Sequence, residues 1–289
     1  MVNPIAALSE NPALLYSSTF ILGLLIGSFL NVVIFRLPKM LEQDWKNQCT
    51  IMLELEPPSP EKTKITLSTP HSSCPHCQHQ IKPWENIPVI SWLFLRGKCS
   101  QCKKPISIRY PIIEAVTALL SVAVIVKFGP SYTALAALFF TWALIALTMI
   151  DADTQLLPDN ITLPLLWAGL ILSAFNAFVS LESALWGAVF GYLSLWSVYQ
   201  VFKLLTGKEG MGYGDFKLLA ALGAWLGWQQ LPIVILLSSV VGAIIGISII
   251  VIMGRDRNIP IPFGPYLAIA GWIAMIWGDQ LYSIWLGSV

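Results

Sequence analysis

The sequence predicts an all-α polytopic membrane protein of about eight transmembrane helices, with a small zinc-binding cytoplasmic domain inserted after the first helix. Three observations lead there. First, 56% of the 289 residues are hydrophobic and only 11% are charged, with a mean hydropathy of +0.69, which leaves too few charges to clothe a soluble domain of this size. Second, apolar stretches of about 20 residues, enough to cross roughly 30 Å of hydrocarbon as helices, recur along the chain. Third, one polar segment carries most of the charge and two Cys-x-x-Cys pairs.

The predicted spans lie near 14–35, 111–128, 132–150, 160–179, 184–204, 215–228, 231–253 and 264–286. The segment 215–228 is short for a full crossing, so a tilt or a start inside a water-filled cavity is expected. Positive charge orients the array. Of 17 Lys and Arg, 11 lie between Arg36 and Arg109. If that loop is cytoplasmic, Lys203, Lys208, Lys217, Arg255 and Arg257 fall on the same side and Lys127 alone lies outside. Both termini then face the periplasm, and the loops before Asp159 and Asp215 are cytoplasmic. The first 35 residues hold no Lys or Arg, so the opening segment reads as a retained helix rather than a cleaved signal. Trp186, Trp225, Trp228, Trp277 and Trp285 fall near outer helix ends, as interfacial anchors do. The net charge of +1 gives no basic excess that would point to a nucleic-acid partner.

The organisation expected is a first transmembrane helix at 1–35, a cytoplasmic tetracysteine domain at 36–110 and a seven-helix membrane core at 111–289. The middle part is polar and includes Pro57, Pro58 and Pro60. Cys74-Pro-His-Cys77 and Cys99-Ser-Gln-Cys102 stand 21 residues apart. Two such thiolate hairpins supply four soft ligands in a tetrahedron, and a small polar domain needs a staple of this kind. Disulfides are the alternative, disfavoured in a reducing cytoplasm. With four cysteines the shell is closed and the metal structural. His71, His76 and His79 crowd the first pair as alternate ligands or solvent-facing residues. Cys49 is left over as a bystander thiol or a redox group.

Asp151 and Asp215 each sit where an apolar segment meets a polar loop. A carboxylate at a membrane boundary reaches water while packed helices lower its dielectric, which makes it a candidate for function. Two of them could hydrolyse a peptide, one ionised to deprotonate water and one protonated to donate to the carbonyl oxygen or leaving amine. Gly212 and Gly214 would let another backbone approach. Alternatively they break the chain before a helix that Asp215 caps. Asp153 and Asp159 are rivals in the loop after Asp151, the first solvated and the second, after Pro158, a helix cap. Lys217 lies on a different helix face from Asp215, which argues against an ion pair between them.

Asp151-Ala-Asp-Thr-Gln-Leu-Leu-Pro158-Asp159 and Gly212-Tyr-Gly-Asp215-Phe-Lys217-Leu resemble the two signature segments of the type IV prepilin peptidases, the Gly-x-Gly-Asp membrane aspartyl proteases. Gly27-Ser-Phe-Leu-Asn31-Val, Arg36-Leu-Pro38, both cysteine pairs, Leu95-Arg-Gly-Lys-Cys99, Arg109-Tyr-Pro111 with Glu114, and Pro262-Phe-Gly-Pro265 also look like that family, in its order. The resemblance implies cleavage of the basic leader of type IV prepilins and type II secretion pseudopilins, after a glycine, at the cytoplasmic face of the bacterial inner membrane. By position it puts the catalytic aspartates at Asp151 and Asp215. Because the tetracysteine domain is present, it also implies N-methylation of the new N-terminal residue with S-adenosylmethionine. No glycine-rich cofactor loop on a βαβ unit locates that donor. Glu42, Asp44, Glu54, Glu56, Glu61 and Glu85 are available to a basic leader, although most suit a solvated loop surface.

Other readings are a transporter or ion channel using boundary carboxylates, a peptidase without methyltransferase activity, and a zinc-knuckle scaffold held by a membrane anchor. A transporter favours internal repeats and midplane charges. Neither is evident in the sequence, and a pure scaffold leaves the two aspartates without a purpose.

Overall fold

A computed structural model of the chain describes residues 11–54, 65–253 and 261–286. Pro57, Pro58, Pro60, Glu56, Glu61, Arg255 and Arg257 lie outside these residues, as does the side chain of Trp285. All eight expected apolar segments are helical. Five helices are long and apolar enough to cross a membrane: Pro12–Met52, Arg109–Phe128, Tyr132–Thr154, Leu181–Thr206 and Trp228–Ser248; Asp159–Ala174 is a shorter apolar helix. The described residues contain isolated β-bridges but no strand. The chain divides into two compact units, Met1–Leu138 and Phe139–Val289.

In the first unit, helix α1 (Pro12–Met52) starts on Asn11, whose side chain accepts from the Leu14 amide, with Pro12 in the first turn where its missing N–H costs nothing. It runs well beyond the apolar span, through Pro38, to Met52. The buried Arg36 guanidinium donates to the carbonyls of Thr66, Leu67 and Pro70 at 3.0, 3.3 and 2.6 Å, which fastens the polar insert to α1. A short helix α2 (Ile90–Phe94) lies within the insert, and α3 (Arg109–Phe128) follows it. Helices α1 and α3 pack backbone to backbone. A Cβ on Gly23 would lie 2.6 Å from Ala118 Cα, and one on Gly27 would lie 2.7 Å from Glu114 Cα. One helical step further along the same face, Asn31 Nδ2 donates to the Tyr110 carbonyl at 3.2 Å.

Helix α4 (Tyr132–Thr154) leads into the second unit, where α5 (Asp159–Ala174), α6 (Leu181–Thr206), α7 (Tyr213–Leu226), α8 (Leu231–Met253) and α9 (Gly264–Leu286) follow. Helix α7 is the centre. From Asp215 to Leu226 every residue except Lys217 is buried, and α5, α6, α8 and α9 all touch it. At 14 residues it is short, and its enclosure by protein explains why: its apolar surface is covered by helices and needs no full lipid span. Small residues permit the packing. A Cβ on either Gly187 or Gly223 would collide with the other's carbonyl, and one on Gly191 would lie 2.5 Å from the Leu219 oxygen.

Trp225 corrects the expectation of an interfacial anchor. It is 1% exposed, its indole N–H donates to the Leu165 carbonyl at 2.8 Å, and its ring lies 4.8 Å from Phe140 and 5.5 Å from Phe178. Gly169 leaves the room, since a Cβ there would meet the indole at 2.6 Å. Trp186, Trp228 and Trp277 are exposed, as an anchor requires.

Gly187→Val and Gly223→Val should each force α6 and α7 apart and destabilise the second unit by about 3 kcal/mol, the upper part of the overpacking range. Thermal unfolding of the purified protein in detergent tests this, and an unchanged midpoint for both variants would count against the contact.

Candidate active site

Asp151 lies in the last turn of α4 and is 5% exposed. That end of a helix dipole is negative, so a buried carboxylate there opposes stability and calls for a partner. The partner is the first turn of α9, where the Gly264 amide donates to Asp151 Oδ2 at 3.0 Å. Gly264 must be small, because a Cβ would sit 2.7 Å from the same oxygen. The segment Pro262-Phe-Gly-Pro265, notable in the sequence only for its resemblance, thus acquires a role: it delivers a helix N-terminus to a buried anion.

Asp215 stands in the first turn of α7 and is 8% exposed. The N-cap is Gly212, whose carbonyl accepts from the Asp215 amide at 3.2 Å. Asp215 is therefore the third residue of the helix and not its cap. The two aspartates lie close enough for the charge on Asp151 to act on Asp215.

Leu157 lies between the two ends of the site. Its side chain is buried and would meet a Cβ on Gly214 at 2.8 Å and one on Gly264 at 3.1 Å. Gly214 therefore makes room for a leucine side chain where a backbone was expected. Asp153 is exposed. Asp159 is not a cap either: Pro158 holds the N-cap position of α5 with no side-chain capping bond. Asp159 instead accepts from Lys217 Nζ with both carboxylate oxygens at 2.7 Å. The pair ties the start of α5 to the start of α7, and its signal in the sequence was two opposite charges, each beside a candidate aspartate and otherwise unused. Tyr192, Tyr199, Tyr213 and Phe216 form an aromatic cluster with ring centroids 5.3–5.8 Å apart that seats the first turn of α7 on α6. Helical spacing alone does not disclose which rings meet.

The cysteines form a second constellation, in the first unit. The two hairpins repeat one another. The Cys74 amide donates to the His79 carbonyl at 2.9 Å and the Cys99 amide to that of Lys104 at 2.9 Å. Gln78 and Lys103 take matching left-handed φ values of 58° and 60°. Amides of His76 and Cys77 aim at Cys74 Sγ and hold that thiol down to about 6, and amides of Cys102 and Gln101 likewise lower Cys99. All four sulfurs lie within 4.8 Å of one another. Cys74 and Cys102 are 3.8 Å apart, and Cys77 and Cys99 3.9 Å. A disulfide would require about 2.05 Å, whereas a tetrahedron of 2.3 Å zinc–sulfur bonds has edges of about 3.8 Å. The cluster has the shape of a metal site.

His79 does not join it. Its Nε2 lies 3.1 Å from Glu85 Oε2, and Glu85 also accepts from the Ser100 hydroxyl and the Lys82 amide, which together hold its carboxyl down to about 2. Glu85 therefore joins the two hairpins and is not open to a ligand. Glu42 pairs with Lys46. Cys49 is exposed.

These features define a polytopic membrane protein with a buried aspartate pair and a tetracysteine centre. The Bacterial Peptidase A24 N-terminal domain matches residues 21–128, and the Type IV leader peptidase family matches residues 138–247. The chain is 59% identical to the prepilin leader peptidase/N-methyltransferase of Stutzerimonas stutzeri, over 99% of this chain and 98% of that one. It is 58% identical to the protein so named in Pseudomonas aeruginosa, over 96% of each, and 47% identical to that of Legionella pneumophila, over 99% of each. No solved structure matches. The chain belongs to the type IV leader peptidase family.

The Lys217–Asp159 pair is partly open to solvent, with side-chain exposures of 31% and 50%, so Lys217→Ala should cost no more than about 1 kcal/mol of stability. Chemical unfolding measures it, and a much larger loss would mean that the pair carries the α5–α7 contact.

Proposed function

We propose that this chain cleaves the leader from type IV prepilins and pseudopilins with Asp151 and Asp215 as the catalytic pair, and methylates the amine so exposed. The observation that carries the proteolytic reading is the pair itself: two buried carboxylates on two helix ends, within reach of each other's charge. Like charges this close in a low dielectric favour one shared proton. The ionised carboxylate takes a proton from water, which attacks the scissile carbonyl carbon. The protonated one donates its proton to the carbonyl oxygen. The carboxylate that took the water's proton then passes it to the leaving amine, and as the tetrahedral intermediate collapses one of its hydroxyls returns a proton to the first carboxylate. The Gly264 amide keeps Asp151 oriented and supplies the positive end of α9 without adding a titratable group. A transporter reading has no comparable use for two carboxylates at one boundary.

The substrate's leader is polar and basic while the residues after the cut form an apolar helix, so a site at the membrane surface can hold both parts. The clustering of Lys and Arg between Arg36 and Arg109 supports a cytoplasmic face for the tetracysteine segment and the aspartates, in the bacterial inner membrane with both termini periplasmic. The leader must unwind there, because helical carbonyls are engaged in hydrogen bonds.

Cys74, Cys77, Cys99 and Cys102 hold zinc in this reading. Four thiolates close the shell, so the ion fixes the two hairpins and takes no part in chemistry. S-adenosylmethionine, the donor that the methyltransferase activity requires, supplies an electrophilic methyl group. The described residues offer no glycine-rich loop on a strand–helix unit for it, and no step here runs through it.

Asp151→Asn and Asp215→Asn should each reduce cleavage of a full-length prepilin by at least about a thousandfold while leaving folding and insertion intact. Intact-mass spectrometry of the product tests this, and wild-type-like processing by either variant would refute the assignment. Gently purified protein should contain about one zinc per chain, and Cys99→Ser should release it. Elemental analysis showing no metal in the wild type would remove zinc from the account.

A further inference from the structure

Outside the aspartate site, the described chain buries one other carboxylate within its helices, that of Glu114 on α3. It is 7% exposed, and proteolysis as proposed gives it no task. Its backbone is where α3 comes closest to α1, under Gly27. The carboxylate accepts from the Val89 amide at 2.7 Å and from the Ser28 hydroxyl.

What it holds is unusual. Val89 has φ 59° and ψ −48°, a region strained for a β-branched residue. The Ile90 amide closes back on the Pro88 carbonyl at 2.5 Å, making a three-residue turn around Val89. Such a conformation persists only where its surroundings impose it, and the group that engages the Val89 amide is Glu114.

The turn governs what comes after it. Helix α2 starts at Ile90, and the Trp92 indole N–H donates to the Ile106 carbonyl at 3.2 Å. The indole also packs on Gly97, where a Cβ would lie 2.7 Å from the ring. Gly97-Lys98-Cys99 then enters the second cysteine hairpin. Chain direction at Val89 is thereby passed to Trp92, Gly97 and the hairpin, all within the first unit. Both aspartates of the proposed peptidase belong to the second unit.

We infer that Glu114 is a positioning residue for methyl transfer: its carboxylate holds the Val89 turn, and the transferase half works only while that turn sets the segment from Trp92 to Cys102. The inference rests on the two activities proposed above. Glu114 is given no contact with the substrate or with the methyl donor.

The experiment uses the full-length enzyme in lipid with a full-length prepilin and S-adenosylmethionine, reads cleavage and methylation separately by intact mass, and follows amide hydrogen exchange over 88–106. Glu114→Ala should cleave at the wild-type rate but methylate roughly ten- to a hundredfold more slowly, as expected for loss of a hydrogen bond to a charged group. Exchange over 88–106 should quicken. Glu114→Gln, which keeps an acceptor oxygen, should restore methylation. Val89→Gly combined with Glu114→Ala should also recover it, because glycine takes φ near 60° without strain and the turn then needs less support. Wild-type methylation by Glu114→Ala would overturn the inference, as would equal loss of both activities, which marks a purely structural residue, or failure of the double variant to improve on the single one. A wild-type enzyme that neither cleaves nor methylates would instead bring down the proposed function.

Discussion

The second unit depends on the near-contact of two helix backbones at Gly187 and Gly223. With no side chain at either position, α6 and α7 close until each glycine's Cα faces the other's carbonyl, and Gly191 extends the approach by one helical step. In hydrocarbon, where lipid tails are as apolar as leucine, close packing replaces the hydrophobic effect as the force joining helices. Enclosure of α7 follows from it. A helix covered on all sides can be short, and although its first residue, Tyr213, is exposed, burial begins at Asp215, which keeps that carboxylate largely out of bulk water.

Electrostatically the two aspartates are opposites. Asp215 sits at a helix start, where the dipole welcomes it. Asp151 sits at a helix end, where the dipole opposes it, and only a second helix start, at Gly264, answers that. In the mechanism proposed above, these unequal settings suit one member to act as acid and the other as base. The asymmetry belongs to the helix termini, so substitutions far from either carboxylate that tilt α9 would disturb it.

Where the second unit relies on packing, the tetracysteine segment has the spacing of a coordination site. Its hairpins are small, largely exposed and joined by Glu85, and the sulfur spacing suits a tetrahedral ion. Arg36 and Glu114 tie this polar segment to α1 and α3 from opposite directions, one donating to three carbonyls and the other accepting a strained amide. Buried charges that serve the backbone in this way satisfy groups that a small insert cannot satisfy alone.

Much of this was legible in the sequence, because hydropathy over about 20 residues and the spacing of ligand cysteines are local properties. All eight helical segments and the two hairpins can be found from them, and the resemblance of the loops around Asp151 and Asp215 marks both carboxylates. Partnership was not legible. That Trp225 turns inward to Leu165, that Lys217 crosses to Asp159, that Gly214 receives Leu157, and that Gly264 and Glu114 each engage a distant group all require residues between 25 and 113 positions apart to meet. The sequence by itself determined which stretches become helices, because each helix satisfies its own backbone within one segment. Only the tertiary structure decided which faces and which charges meet, because those contacts depend on how closely two backbones can approach, and a single glycine or its absence sets that distance.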